Sequence, residues 1–325
     1  MTITANTAWA LCAWVDGGAS GSPPPPWTAV FVPPPPTMQN PNFAVILQDS
    51  SNTVQYALVI QGTTNILDLF NDLEVNKPGA FLPVSGAQIA NGASTGLNNV
   101  LGLKDGNTSL QDFLSSIDWS PNNSNCLFLA GHSLGGTLAS IMAPWAAVNL
   151  FGQQQPLGSS PGSLPASIQA ITFAPYAAGN QQFATFLNNQ PNYQANFNEN
   201  DAVPYAWATT GQYSVSNMYN LFPSPGPYPM PSWLKNQVIN IVNGIPVPPK
   251  FSGYVQTSGN NSFNFKFPTV KVPPLTVDPW LWELSYQHNY AYCMTFGGSA
   301  SSCQYLMPSE DSLTRERRRI GVPVK

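Results

Sequence analysis

Hydrophobic and polar positions change period several times along the chain, and the changes mark out elements. Phe43–Gln48 and Val54–Ile60 are apolar runs separated by Asp49-Ser50-Ser51-Asn52, a pattern that predicts two strands joined by a short polar turn. Cys126–Ala130 is apolar throughout, too short for a helix and bounded by Asn and Gly, so it is expected to be a buried strand. Leu134–Leu150 carries small and apolar residues at helical length, with Pro144 expected to kink or end the helix. Ile168–Phe173 is a second buried strand, Asn180–Asn188 a helix, and Ala195–Asn198 a strand leading into Glu199–Pro204. Phe251–Thr257 and Phe263–Phe267 flank Ser258-Gly259-Asn260-Asn261, which predicts a hairpin. Trp233 and the run Ile239–Val242 need burial, so the Pro-rich stretch 223–249 is an excursion from the domain rather than a linker. Short buried strands alternating with helices imply an α/β fold with a sheet covered on both faces. The first forty residues hold the blocks Pro23–Pro26 and Pro33–Pro36, and proline's fixed φ and missing donor predict an extended surface arm.

Composition narrows the functional classes. Hydrophobic residues make up 43% of the 325 positions, enough for a substantial core, but charged residues only 8%, against roughly 25% in ordinary domains. A surface polar through neutral side chains lacks the cationic density that phosphate binding demands, so nucleic acid is not an expected partner. No apolar stretch reaches the roughly 18 residues of a membrane span. Residues 1–309 carry six lysines against twelve acids, whereas all four arginines fall within Arg315–Arg319. The chain therefore divides into the arm 1–40, a globular domain 41–305, and a basic tail 306–325 that is a solvated terminus or frame-derived sequence.

Four cysteines without CxxC spacing and two histidines leave no basis for a Cys/His metal site. Cys126 is expected to be a buried free thiol. Cys293 and Cys303 share a small-residue region and are candidates for a disulfide, or one of them for pairing with Cys12. Such pairing favours a secreted protein. Residues 1–20 lack a basic n-region and an apolar h-region, which leaves a cytoplasmic location as the alternative.

The sharpest chemical signal is Gly131-His132-Ser133-Leu134-Gly135, a G-x-S-x-G sequence preceded by a strand pattern and followed by a helix pattern. Serine at such a junction sits on a tight turn flanked by glycines, with its hydroxyl exposed at a helix N-terminus. An activated serine needs a base. His132 flanks the nucleophile and points away from it, which leaves His288, the other histidine of the chain. Four acids lie between Ser133 and His288: Glu199, Asp201, Asp278 and Glu283. Asp201 follows a strand and precedes Ala202-Val203-Pro204, a position where open α/β sheets gather their sites. Asp278 is the reserve, and Glu283 is expected to face solvent. No step of this chemistry calls for a cofactor.

Taken in order, Val59-Ile60-Gln61-Gly62-Thr63, Gly131–Gly136, Asp201-Ala202-Val203-Pro204, and His288 followed by Tyr290 and Tyr292 resemble the class 3 (fungal-type) triacylglycerol lipases. The resemblance covers roughly residues 40–300, with Gln61 standing where the family usually has Arg. It implies an α/β-hydrolase fold, a mostly parallel sheet with helices on both faces and a short lid. It also implies a triad of Ser133, Asp201 and His288, and an oxyanion hole formed by Thr63 and the Leu134 N–H. The segment after Thr63 becomes the lid. There Ile66, Leu67, Leu69, Phe70 and Leu73 interleave with polar residues in an amphipathic turn. Asp72 matches the family acid that holds the oxyanion hydroxyl.

The implied activity is hydrolysis of fatty-acid esters at an oil–water interface through an acyl-enzyme. An apolar lid and a charge-poor chain favour a lipase over an esterase acting on short soluble esters, with phospholipase A1 activity a further alternative. A rival of another class is a catalytically silent hydrolase-fold protein that binds lipids or glycans through its aromatic side chains.

Overall fold

Alternation within the strands decides the architecture. The computed structural model describes residues 2–37, 41–63, 74–120, 122–153, 163–219, 221, 230–246, 250–258, 261–265, 279–299 and 303. Seven strands form one sheet: β1 (Trp27–Phe31), β2 (Ala44–Asp49), β3 (Asn52–Ile60), β4 (Cys126–His132), β5 (Ile168–Phe173), β6 (Tyr193–Asn198) and β7 (Asn261–Phe263), adjacent in that order. The pairs β1·β2 and β2·β3 are antiparallel; β3·β4, β4·β5, β5·β6 and β6·β7 are parallel. Successive side chains leave a strand on opposite faces. Ala44, Ile46, Leu58, Ile60, Leu127 and Leu129 accordingly enter one core, and Val45, Leu47, Ala57, Val59, Phe128 and Ala130 the other. A sheet buried on both sides needs helices on both sides.

Three helices, α2 (Asn91–Leu101), α3 (Leu134–Asn149) and α4 (Gln181–Asn188), bury Leu97, Leu138 and Phe183 in the first core. Pro144 lies inside α3 without ending it. The opposite face is covered by α1 (Ala5–Asp16) and by the C-terminal helix α6 (Ala291–Thr295), with Trp9 and Tyr292 in the second core, whereas α5 (Pro279–Ser285) buries Trp280, Leu281 and Leu284 in the first. The expected α/β sheet with helices on both faces is what the chain forms.

Three local expectations differ from the structure. The described residues 2–37 of the expected arm 1–40 do not form an extended surface arm. Ala8, Trp9, Leu11, Cys12 and Val15 recur at helical spacing and are all buried, and Thr4 caps the helix by accepting from Thr7 N–H. The prolines lie outside α1 and flank β1 at the sheet edge, where a missing donor is tolerated. The described residues of 251–267 do not pair with one another as a hairpin. Tyr254–Val255 pairs in parallel with Ala208–Thr210, and Asn261–Phe263 pairs in parallel with β6. A local turn signal was outweighed there by two long-range pairings. In the excursion, the helix Ser232–Asn243 buries Leu234 and Val238, while Trp233 is half-buried against the core.

Cys293 and Cys303 are joined in a disulfide, Cys12 is a buried free thiol, and Cys126 is free and half-buried. Among the described residues no helix is long and apolar enough to cross a membrane.

Trp9 packs edge-on against Phe173 at 5.2 Å and stacks on Tyr292 at 5.8 Å. Trp9→Ala is therefore expected to cost about 3–5 kcal/mol in denaturant unfolding. A residue on a detached arm would change stability by less than about 0.5 kcal/mol.

Candidate active site

The nucleophile elbow is built by close backbone packing. Ser133 follows β4, caps α3, and adopts φ 58° and ψ −127°. A non-glycine residue there carries strain of about 1–3 kcal/mol and persists only where its surroundings over-determine it. A Cβ added to Gly131 would lie 2.2 Å from the Gly135 carbonyl, and one on Gly135 would lie 2.1 Å from Ile60 O. The Ser133 N–H donates to Phe173 O at 2.9 Å, tying the elbow to the next strand. Ser133 Oγ is buried and makes no hydrogen bond to any described residue. Leu134 opens α3, so its N–H is among the first amides of the helix, which lack an intrahelical acceptor. A Cβ on Gly62 would lie 2.8 Å from His132 O and 3.3 Å from Ser133 Cβ, so the Gly62-Thr63 segment runs directly past the elbow.

The carboxylate follows β6, two strands along from β4, and the imidazole is carried by the C-terminal helical segment. Asp201 lies just beyond β6 and is fully buried. Its Oδ1 accepts from Val203 N–H at 3.0 Å and its Oδ2 lies 2.8 Å from His288 Nδ1. A carboxylate accepts, so Nδ1 carries the proton and Nε2 keeps its lone pair. Burial pushes the His288 pKa below the ordinary histidine value; the attraction of Asp201 opposes that shift without cancelling it.

His288 lies in a π-helical turn, Tyr286–Tyr290, between α5 and α6. Turns of this kind recur at functional sites because they re-aim side chains within a helix. Asn198, at the end of β6, holds the turn. Its side-chain Nδ2 donates to Gln287 O at 3.0 Å and to Gln287 Oε1 at 2.7 Å, while its N–H donates to Tyr292 Oη at 2.8 Å. The His288 ring sits 4.4 Å from the His132 ring, next to the elbow. His132 has other partners: its Nε2 lies 2.8 Å from His288 O and its Nδ1 3.4 Å from Asp16 Oδ2.

Of the sequence-derived candidates, the structure brings Ser133, Leu134, Thr63, His288 and Asp201 to one end of the sheet. Asp72 and the lid residues Ile66, Leu67, Leu69, Phe70 and Leu73 lie outside the described residues, as does Asp278. Glu199 engages Asn264 instead. Sequence reasoning missed Asn198, Gln287 and Asp16. An asparagine or glutamine in a chain rich in both carries no signal of its own, and Asp16 was assigned to a surface arm. Gln61 is buried, and its Nε2 donates to Val15 O and Asp16 O at 3.1 and 3.4 Å. A neutral amide there meets two carbonyls without burying a charge. Among the described residues no group of His, Cys, Asp and Glu is arranged to hold a metal ion.

Residues 57–210 match the family model described as lipase (class 3), a span that includes Thr63, Ser133 and Asp201 and ends before His288. The fold is similar to the crystal structure of M37 lipase, with a TM-score of 0.68 and 23% identity over 89% of this chain and 86% of that one. The Rhizomucor miehei lipase in its propeptide complex is 20% identical, with a TM-score of 0.45 over 62% of this chain and 61% of that one. No curated protein sequence matches. The chain has the α/β-hydrolase fold, and the match to the class 3 lipase model covers just under half of it.

One carboxyl group near the base departs from expectation. Glu283, on α5, does not face solvent. It is 3% exposed, its Oε2 is buried without a hydrogen-bond partner among the described residues, and desolvation pushes its pKa up to about 7. The reason is the company it keeps, since Trp280, Leu281, Trp282 and Leu284 of the same helix are all buried. Between an ordinary value near 4.5 and about 7 the folded chain holds a proton that the unfolded chain has released. Stability contributed by this group is thus present at low pH and lost as pH rises through that window. Glu283→Gln, neutral throughout, is expected to raise Tm relative to wild type at pH 8 and to give no gain at pH 5, measured by thermal unfolding at both values.

Proposed function

We propose that this protein is a triacylglycerol lipase that cleaves fatty-acid esters through an acyl-enzyme formed on Ser133. The observation that carries the reading is the buried Asp201–His288 pair, bonded at 2.8 Å and seated against a strained G-x-S-x-G elbow. His288 Nε2 takes the Ser133 proton as Oγ attacks the ester carbonyl. The tetrahedral oxyanion is held by the Leu134 N–H and by Thr63, aided by the N-terminal dipole of α3. His288 then protonates the departing alcohol. Water, deprotonated by the same imidazole, attacks the acyl-enzyme and releases the fatty acid. Asp201 holds the imidazole tautomer and stabilises the imidazolium in both halves of the cycle. The free serine hydroxyl fits this cycle, because nucleophile–base bonds are commonly long in unliganded hydrolases and tighten when substrate binds.

The class 3 match and the low charge of the chain favour insoluble glycerides over dissolved esters. The Cys293–Cys303 disulfide favours action in an oxidising compartment, outside the cytoplasm.

Ser133→Ala is expected to lower kcat by roughly 10⁵-fold or more and to abolish labelling by an organophosphonate. Thr63→Ala keeps its main-chain donor, so its loss should stay below the roughly 10²–10³-fold that follows removal of a full oxyanion donor. Activity on emulsified triolein should exceed that on dissolved short-chain esters; the reverse ranking would identify a soluble-ester esterase. Because neutral His288 is the working form, kcat/KM should fall as pH drops, with its acid midpoint below about 6.5. A midpoint above 7 would contradict the burial of the base.

A further inference from the structure

Asp16, the last residue of α1, makes two contacts that converge on the site. Its Oδ1 accepts from the Gly62 N–H at 2.9 Å, one residue before Thr63. Its Oδ2 faces His132 Nδ1 at 3.4 Å. On the other side of that ring, His132 Nε2 lies 2.8 Å from the main-chain oxygen of His288. A carbonyl only accepts, so Nε2 carries a proton and donates; the facing carboxylate attracts Nδ1 when that nitrogen carries a proton too. One carboxylate thus touches the oxyanion segment directly and reaches the main chain of the base through a single imidazole.

The π-turn explains why such a hold is needed. The Ala291 N–H reaches back to Tyr286 O, five residues away, so Gln287 O loses the donor that an α-helix would supply. Side chains from outside the helix take over. Asn198 donates to Gln287 O, and His132 donates to His288 O. The His132 ring is itself fixed between Trp9 at 5.3 Å and Tyr292 at 5.7 Å, both buried.

We propose that Asp16 and His132 are positioning residues for the ester hydrolysis, Asp16 anchoring Gly62 and orienting His132, and His132 holding the main chain of His288 at the elbow. The inference rests on the triad reading given above. It makes the N-terminal helix, which lies outside the class 3 match, a working part of the site.

The experiment compares wild type, His132→Leu, His132→Gln and Asp16→Ala in the full chain on a dissolved short-chain p-nitrophenyl ester. Thermal unfolding serves as the fold control. His132→Leu and Asp16→Ala should lower kcat by about 10–100-fold, the scale of a small misplacement of reacting groups, and leave KM within about twofold. Glutamine can present an N–H at the same carbonyl, so His132→Gln should recover at least about tenfold over leucine at equal Tm. The rate of Ser133 labelling by an organophosphonate should fall and recover in parallel, since it reads the serine–imidazole pair without deacylation. Equal kcat for the leucine and glutamine variants, or wild-type kcat in Asp16→Ala, would overturn the proposal. Should His132→Leu fail to fold, Asp16→Ala at unchanged Tm decides by itself. A wild-type protein that neither cleaves the ester nor reacts with the phosphonate would overturn the hydrolase reading. An active wild type with fully active variants would overturn this inference alone.

Discussion

A contact with no room for a methyl group governs this site. Gly135 meets the end of β3 so closely that a Cβ would lie 2.1 Å from Ile60 O, and Gly131 meets Gly135 as tightly. Those approaches bring α3 back across the strand ends immediately after β4 and leave Ser133 the sharp turn between them. The strain of that turn is sustained by parallel ladders on both sides, β3 and β5, which hold β4 in register over its length. The hydroxyl is therefore placed by the backbone of the sheet and does not depend on neighbouring side chains.

The base is placed by different means. His288 arrives on a helix 155 positions later in the chain. The main chain of its turn is held by Asn198, which donates to Gln287 O from the strand that precedes the acid, and by His132, which meets His288 O from the strand that precedes the nucleophile. Its ring is gripped by Asp201. Each contact comes from a strand end, so the rigidity of the sheet is transmitted to a helical segment that would otherwise be free to slide. Buried polar groups in such a network are worth keeping only when their partners are in place, and around His288 the described partners are.

Burial shapes the electrostatics throughout. With few charges available, the chain satisfies most buried polar atoms with amides and carbonyls, as Gln61, Asn198 and Gln287 do. The two buried carboxyl groups nearest the base then diverge. Asp201 has the Val203 N–H and the imidazole as partners, whereas Oε2 of Glu283 has no partner and its carboxyl is driven towards its neutral form. Two carboxyl groups behave in opposite ways because one has donors in reach and Oε2 of the other meets none among the described residues.

The strands β2 to β6, the elbow and the order of serine, acid and histidine were legible in the sequence because each depends on local signals. Short apolar runs are bounded by turn formers, the glycines of the elbow have no substitute, and only two imidazoles are present to choose between. Asp201 was also legible, from its place after a strand. The helical packing of residues 5–16 was obscured by the prolines that follow it, and the turn signal near residue 260 predicted a hairpin that the sheet edge displaced. Tertiary structure alone decided that Glu283 is buried, that His288 sits in a π-turn, and that Asn198 and His132 donate to the main chain of that turn while Asp16 faces His132. Those outcomes depend on which side chains meet across roughly ninety to one hundred and sixty positions of chain. Hydrogen bonds between such distant partners leave no periodicity or motif behind, because an amide or carboxylate looks the same in sequence whether it faces water or a buried carbonyl.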